Sequence, residues 1–318
     1  MSFRSSAAYA KAMAENRPSI ALVTGGRSGI GLALARKIAS FPFIEKVLAV
    51  SRSITDNDAA AISPKVQALP VDVGTEEGRQ AVVKHVAKLC NKDGQEIKSA
   101  SERKMQLRFL VHSAGTINPI KDVLKVTPEE LRHAMNVNCE APFLLTTSLY
   151  PFMTPLDSSG VARRVLHVSS GAAHGAPPAG WGVYGITKAA FFQSYRALEK
   201  EFRETFGGKV VVGSFRPGVV DTSMQGVIRG APVEAMPTVK KFQDMKEQAG
   251  VLGVGDLKRP RPPPQGALDN PENVAFFGEY LLLGTTDEEF ANKDDPLEYD
   301  IRDKKLFPKW IDPEYLEE

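Results

Sequence analysis

A chain of 318 residues with 42% hydrophobic and 25% charged side chains can bury one sizeable core or at most two and reads as a globular protein. Its 40 Lys and Arg against 38 Asp and Glu leave a formal charge of +2, too near balance for bulk charge to choose a partner, so neither nucleic acid nor an acidic membrane is expected. Two cysteines without metal-like spacing, Cys90 and Cys139, argue against a disulfide framework and a zinc cluster; both read as reduced, buried thiols in helical segments.

Residues 1–17 carry Arg4, Lys11 and Arg17 among Ser and Ala, which is weakly like an organelle transit peptide. The apolar block of a secretory signal is missing, and the segment reads as a frayed extension. No apolar run nears the roughly 20 residues of a bilayer span, so no membrane partner and a cytoplasmic enzyme are expected. Next comes SIALVTGGRSGIGLALARKIA, an apolar run, a glycine-rich turn and apolar residues at helical spacing, which predicts strand, loop and helix. The rhythm returns in EKVLAVS, VQALPVD, QLRFLVHSAG, RRVLHVSSG and KVVVGSFRPG, each followed by turn residues. Between them, EEGRQAVVKHVAKLC and PEELRHAMNVNCEAPFLLTTSLYPFM have helical periodicity. Apolar strands alternating with helices predict a single-domain α/β fold over 18–290, a Rossmann-type doubly wound parallel sheet with helices on both faces. Residues 91–105 read as a polar surface insertion, and KRPRPPP, within the Pro- and Gly-rich stretch 250–273, as a stiff loop more than a ligand for a partner. Residues 224–272 are expected to cover the substrate, and 291–318 to form a charged C-terminal tail over the surface.

TGGRSGIG, Thr24 to Gly31, lies between the first strand and the first helix, where backbone N–H groups and a helix N-terminus face a pyrophosphate. Gly25, Arg27, Ser28, Gly29, Ile30 and Gly31 are the candidate contacts. The second strand ends in AVSRS, without the acid that would hold ribose hydroxyls; Ser51 and Arg52 stand there instead. Arg27 and Arg52 can both reach a 2′-phosphate, which predicts NADP(H) and opposes an NAD-dependent alcohol dehydrogenase.

In GWGVYGITKAA, Tyr184 and Lys188 are spaced i, i+4, so one helical face presents a phenol and an ammonium to a common ligand. The ammonium stabilises the phenolate and is expected to lower the tyrosine pKa, which suits proton transfer near neutral pH. Upstream, a strand ends in Ser169 and Ser170, and a loop delivers the chain into the tyrosine helix.

The glycine spacing together with this Tyr-Lys segment resembles the short-chain dehydrogenase/reductase family over roughly residues 18–225. By that resemblance Tyr184 donates the proton to a substrate carbonyl, Ser170 hydrogen-bonds the same oxygen, and Lys188 holds the nicotinamide ribose. Asn138 in NVNCEAPF, more than Asn136, matches the asparagine that kinks its helix and supports a water and proton relay with the lysine. RPGVVDTSMQ implies that Pro217, Gly218, Val220 and Thr222 contact the nicotinamide end, and VDV that Asp72 and Val73 meet the adenine. Two departures stand out. HSAG, His112 to Gly115, replaces the family's Asn-Asn-Ala-Gly; Ala114 and Gly115 leave room for the cofactor, but the asparagine bonds that steady the strand are lost. Ser170 and Tyr184 are one position farther apart than is usual, which a bulge in AHGAPPAG would absorb. His112, His133, His167 and His174 form no helical metal-ligand pair and read as structural or surface residues, with no metal expected. Trp181 reads equally as pocket wall or packing.

GWGVYGITKAA and PGVVDTSMQ resemble the branch that contains sepiapterin reductase and fungal benzil reductase. This implies NADPH-dependent reduction of a ketone or diketone, with a small-molecule carbonyl substrate as the partner. A pterin reductase is the alternative within the class. A non-catalytic NADP-binding regulator is the alternative outside it, opposed by the presence of Ser170, Tyr184 and Lys188. The family implies a homodimer through the helices at 128–154 and 182–206.

Overall fold

The six apolar runs are six parallel strands in a computed structural model, which describes residues 3–14, 17–91, 104–154, 160–251, 257–291 and 298–316. They are β1 (Ser19–Thr24), β2 (Ile44–Val50), β3 (Val66–Leu69), β4 (Gln106–His112), β5 (Arg163–Val168) and β6 (Val210–Arg216), and β7 (Tyr299–Asp300) adds an edge. The order β3-β2-β1-β4-β5-β6-β7 reverses beside β1, so a crevice opens where the carboxyl ends of β1 and β4 part.

Side chains alternate across the pleat and serve two cores. Ala21 and Val23 of β1 pack with α1 (Ala7–Ala14), α2 (Gly29–Ala39) and, later in the chain, the helix at Pro271–Glu279. Ile20 and Leu22 face the other way. α3 (Asp56–Ile62), at the β2–β3 crossover, turns Ala59 to the first core, and the second face is covered by α4 (Glu76–Cys90) and, after α5 (Pro128–Met135), by α6 (Ala141–Met153) and α7 (Gly182–Glu204). The expected Rossmann-type doubly wound fold is the one observed. Helix starts are set locally: Thr75 caps α4 at Gly78, and Thr127 forms a reciprocal capping box with Glu130 on α5.

The single helix expected over 128–153 is broken. Pro142 has no N–H to give the Asn138 carbonyl four residues earlier, and the ladder widens to a π turn over Asn136–Glu140, in which the Ala141 N–H reaches the Asn136 carbonyl. Cys139 lies in that turn and is only half-buried, so one of the two thiols is not in the core.

Both ends depart from expectation. The N-terminal segment does not fray: Phe3 and Ala12 are buried, Arg4 makes two bonds to Glu279 at 3.0 and 2.8 Å, and Arg108 Nη2 donates to the Ala12 carbonyl at 2.7 Å. At the other end, β7 continues the sheet, pairing Phe215 with Tyr299 and Arg216 with Asp300, and Ile301, Trp310 and Ile311 are buried. The charged composition of 291–318 hides these few inward positions.

After β6 the chain forms α8 (Ser223–Arg229), α9 (Val239–Val251) and α10 (Pro271–Glu279), the helix already placed on the first face. Between α9 and α10 the proline strap is pinned on both sides. Arg259 pairs with Glu314 at 2.6 Å, and the Arg261 N–H and carbonyl are both taken by Asn273. Most of the expected polar insertion, 92–103, lies outside the described residues, and no described helix is long and apolar enough to cross a membrane.

Candidate active site

At the carboxyl ends of the strands lies a cavity of about 570 Å³, a size that suits a cofactor and a small substrate. Gly25 and Gly29, with φ of +71° and +55°, turn the chain from β1 into α2. A Cβ on Gly31 would lie 2.3 Å from the Gly25 carbonyl oxygen, so only glycine permits this coil to close. Ser28 stands at the N-cap of α2 yet makes no side-chain cap bond, so side chains leave the first-turn N–H groups to a ligand. Arg27, Ser28, Ile30, Ser51, Arg52, Asp72 and Val73 line the same cavity. These residues fit a dinucleotide: N–H groups for its phosphates, a cradle that a Cβ would fill, and room for the adenine near Asp72, whose Oδ1 accepts the Gly74 N–H.

Ser170, Tyr184 and Lys188 line the other half with Ala114, Gly115, Pro217, Gly218, Val220 and Thr222. α7 brings Tyr184 and Lys188 onto one inward face, 7% and 5% exposed. Ser170 stands beside Tyr184 in the cavity, and its Oγ accepts the Ala172 N–H at 3.2 Å. Lys188 Nζ donates to the Val168 carbonyl at 3.1 Å and sits 5.9 Å from the Tyr184 ring centre. Burial pushes the phenol pKa up and the Ser170 bond pulls it down, the first effect prevailing. The expected net depression by lysine is therefore absent from this site, because desolvation of the phenol prevails. Burial in turn lowers Lys188 to about 8, opposed by the charge of Glu298.

The family profile described as short chain dehydrogenase matches residues 19–232, two thirds of the chain. The chain belongs to the short-chain dehydrogenase/reductase family. It is 35% identical over 158 residues to the benzil reductase ((S)-benzoin forming) of Bacillus cereus and 31% identical over 153 residues to that of Bacillus subtilis (strain 168). These matches cover 49% and 48% of this chain and only 61% and 58% of those proteins, which are bacterial, not fungal. Among solved structures, the RhlG/NADP active-site complex of Pseudomonas aeruginosa superposes with a TM-score of 0.62 at 25% identity, covering 83% of this chain and 89% of that one.

Against the short-chain dehydrogenase/reductase pattern, the HSAG departure has a local remedy. Thr24 Oγ1 accepts the N–H groups of both Ser113 and Ala114 at 3.1 Å, and His112 Nε2 lies 2.9 Å from Thr146 Oγ1. Burial lowers His112 to about 3, so it is a neutral core residue; His167, stacked on Phe191 at 4.3 Å, is likewise held well below the ordinary range. The longer step from Ser170 to Tyr184 runs through a short helical turn at Gly171–Ala173 and Gly180 at φ +88°, where a Cβ would meet the Ala235 carbonyl at 2.3 Å. Asn138 does not line the cavity. Its Oδ1 accepts the Thr116 N–H at 2.7 Å, and its Nδ2 donates to the Thr116 carbonyl and Thr187 Oγ1.

Several lining residues were not singled out one by one in the sequence. Met224, Gln225, Ile228 and Phe242 come from α8 and α9, within the expected covering segment, and Trp181 proves to be both pocket wall and packing, edge-on against Tyr184 at 5.7 Å. His133 reaches the cavity as well. Glu298, 1% exposed, bonds His174 Nε2 at 2.5 Å and Ser214 Oγ at 2.6 Å. A buried acid 124 positions from its histidine leaves no local pattern to find.

Proposed function

We propose that this chain is an NADPH-dependent carbonyl reductase acting on a ketone or diketone, with Tyr184 as proton donor. What supports this most is one arrangement: a protonated phenol beside Ser170, with a buried lysine on the same helical face, in the cavity lined by the glycine loop. The resemblance to benzil reductases points the same way.

The nicotinamide cofactor supplies the hydride when bound. The rest falls to this chain. The hydroxyls of Ser170 and Tyr184 converge to hold the carbonyl oxygen. Tyr184 keeps its proton until that oxygen gains negative charge, because burial disfavours the free phenolate. Lys188 then offsets the charge left on the phenol, and its low exposure keeps bulk water from screening it. Asn138, tying Thr116 to Thr187, fixes the wall beside α7 and is the candidate for the relay with Lys188.

NADP is preferred because Arg27 and Arg52 line the adenosine end, where the only lining carboxylate among the described residues is Asp72. The substrate end is apolar, built from Ile117, Trp181, Met224, Ile228 and Phe242, which favours a bulky neutral ketone over a pterin rich in ring N–H donors. Two free thiols suit a reducing compartment such as the cytoplasm.

NADPH oxidation with an aryl diketone tests the proposal. Tyr184→Phe is expected to lower turnover by about 10²–10⁴-fold, the usual range for a lost general acid, and to change the Kd for NADPH less than about twofold. Full turnover in that variant removes the mechanism.

A further inference from the structure

Glu298, just before β7, lies beyond the residues 19–232 that the family profile matches, yet it meets the site from below. β6 holds it from one side: Ser214 Oγ donates to Oε1 at 2.6 Å, and Arg216 brings Nε to 3.8 Å from Oε2. From the other side comes His174, in the loop between Ser170 and Tyr184, with Nε2 at 2.5 Å from Oε2. A carboxylate only accepts, so Nε2 carries the hydrogen. The same imidazole packs edge-on against Phe192 of α7, 4.4 Å between ring centres. Sheet edge and helix together fix its place.

His174 closes the short turn that shapes Ser170. Its own N–H donates to the Gly171 carbonyl at 3.3 Å, the Ala173 N–H to the Ser170 carbonyl at 3.0 Å, and the Ala172 N–H to Ser170 Oγ at 3.2 Å. That last bond directs a hydroxyl that lines the cavity. Little else packs around the turn's glycines: a Cβ on Gly171 or Gly175 would meet nothing within 4 Å. The later half of the loop is secured separately, by Pro177 against Gly185 and by the Gly180 carbonyl, which accepts the Lys121 N–H at 3.2 Å.

We propose that His174, anchored by Glu298, is a positioning residue for Ser170: it holds the turn Gly171–Ala173 so that the serine hydroxyl faces the carbonyl beside Tyr184. The loop is one position longer than is usual, and the acid from the C-terminal segment supplies the tie that the extra length requires. The effect on turnover rests on the reductase reading of the cavity; the ordering of the turn does not. Misplacing a group aligned on a reacting carbonyl by about 1 Å costs on the order of 10²-fold in rate.

Amide exchange in the chain without ligand reads the turn, and NADPH oxidation with an aryl diketone reads Ser170. His174→Leu and His174→Asn both lose the bond to Glu298, the asparagine because its amide reaches only as far as Nδ1. His174→Gln places an amide N–H where Nε2 stood. The two loss variants are expected to speed exchange at Ala172 about tenfold and to lower kcat/KM for the diketone about 10–100-fold, with the Kd for NADPH within about twofold of the parent. His174→Gln should stay within about threefold of the parent in both exchange and kcat/KM, the scale of less than one net hydrogen bond. In a Ser170→Ala background His174→Leu should cost less than about a further twofold, because the hydroxyl it positions is gone. Unchanged exchange in both loss variants overturns the proposal. So does a glutamine variant as impaired as the leucine one, or an undiminished cost of His174→Leu without the serine hydroxyl. If exchange responds as expected but the parent oxidises no NADPH with the diketone, the reductase reading falls and the ordering of the turn by His174 stands. If NADPH is oxidised and the loss variants leave exchange and kcat/KM untouched, the reverse holds.

Discussion

Lys188 carries its ammonium almost out of water, bonded to one backbone carbonyl, and titrates at about 8. Above that pH the site loses the charge that offsets the phenolate, so kcat/KM for reduction is expected to be flat below about 8 and to fall about tenfold per pH unit above it. Glu298 raises this pKa through its charge, so Glu298→Gln should move the alkaline limb to lower pH, while Lys188→Arg should remove it. A profile that does not move in Glu298→Gln would separate the carboxylate from the lysine. At the adenosine end, Arg52 lines the cavity and Arg27 is already engaged, at 2.9 Å from Ser53 Oγ and 3.3 Å from Asp58. Arg52→Ala is accordingly expected to raise the KM for NADPH about tenfold or more, the loss of one charge-assisted bond, with the KM for NADH unchanged. Equal effects on both cofactors would contradict a 2′-phosphate role.

Among the elements, the link between the nicotinamide-side loop and α10 concentrates strain of an electrostatic kind. Asp269 bridges to Val220, is 2% exposed, and accepts bonds from the Asn270 N–H and from Asn273. Burial raises its carboxyl to about 6, with those bonds opposing. The folded protein thus holds this proton more tightly than an unfolded chain, whose aspartate titrates near 4. The stability it contributes is complete below about 4 and is lost as pH rises through about 6, on the order of 2–3 kcal/mol. The difference in unfolding free energy between Asp269→Asn and the parent should therefore swing in favour of the variant between pH 4 and 7; a gap independent of pH would refute the assignment.

The elements that were legible from sequence share a physical cause. Strands β1, β4, β5 and β6 are built on apolar runs buried on both faces, and the glycine loop is confined to glycine by a carbonyl 2.3 Å from where a Cβ would sit. Each leaves its mark within a few residues. The π turn at Asn136–Glu140 was within reach too, since Pro142 announces a missing donor, but helical periodicity masks it. Gln225, Phe242 and Glu298 were not legible as site residues. They gain their meaning only from what folds against them, and an isolated glutamine or acid in a charged stretch looks like surface.

At the scale of the molecule, α6 and α7 present Phe143, Leu144 and Ile186 at 36–57% exposure, on the two helices expected to meet a second copy. Sedimentation is expected to return the mass of two chains, and Phe143→Glu with Ile186→Glu to return one; a parent that sediments as a single chain ends the homodimer proposal. The two ends of the described chain close around the same body. Arg4 reaches Glu279 on α10, and β7 lies beside β6, where Phe215 pairs with Tyr299 and its carbonyl accepts the Ser169 N–H.

That last pairing bears on how the enzyme comes into being. Glu298 holds His174, in the loop between Ser170 and Tyr184, and its charge acts on Lys188; both of those partners emerge from the ribosome more than a hundred residues before it does. A nascent polypeptide released as far as α10 has its nucleotide cradle but not the acid that anchors the reaction loop. Competence to bind a dinucleotide and competence to reduce a carbonyl should thus be acquired at different moments of translation, the second only when β7 has docked.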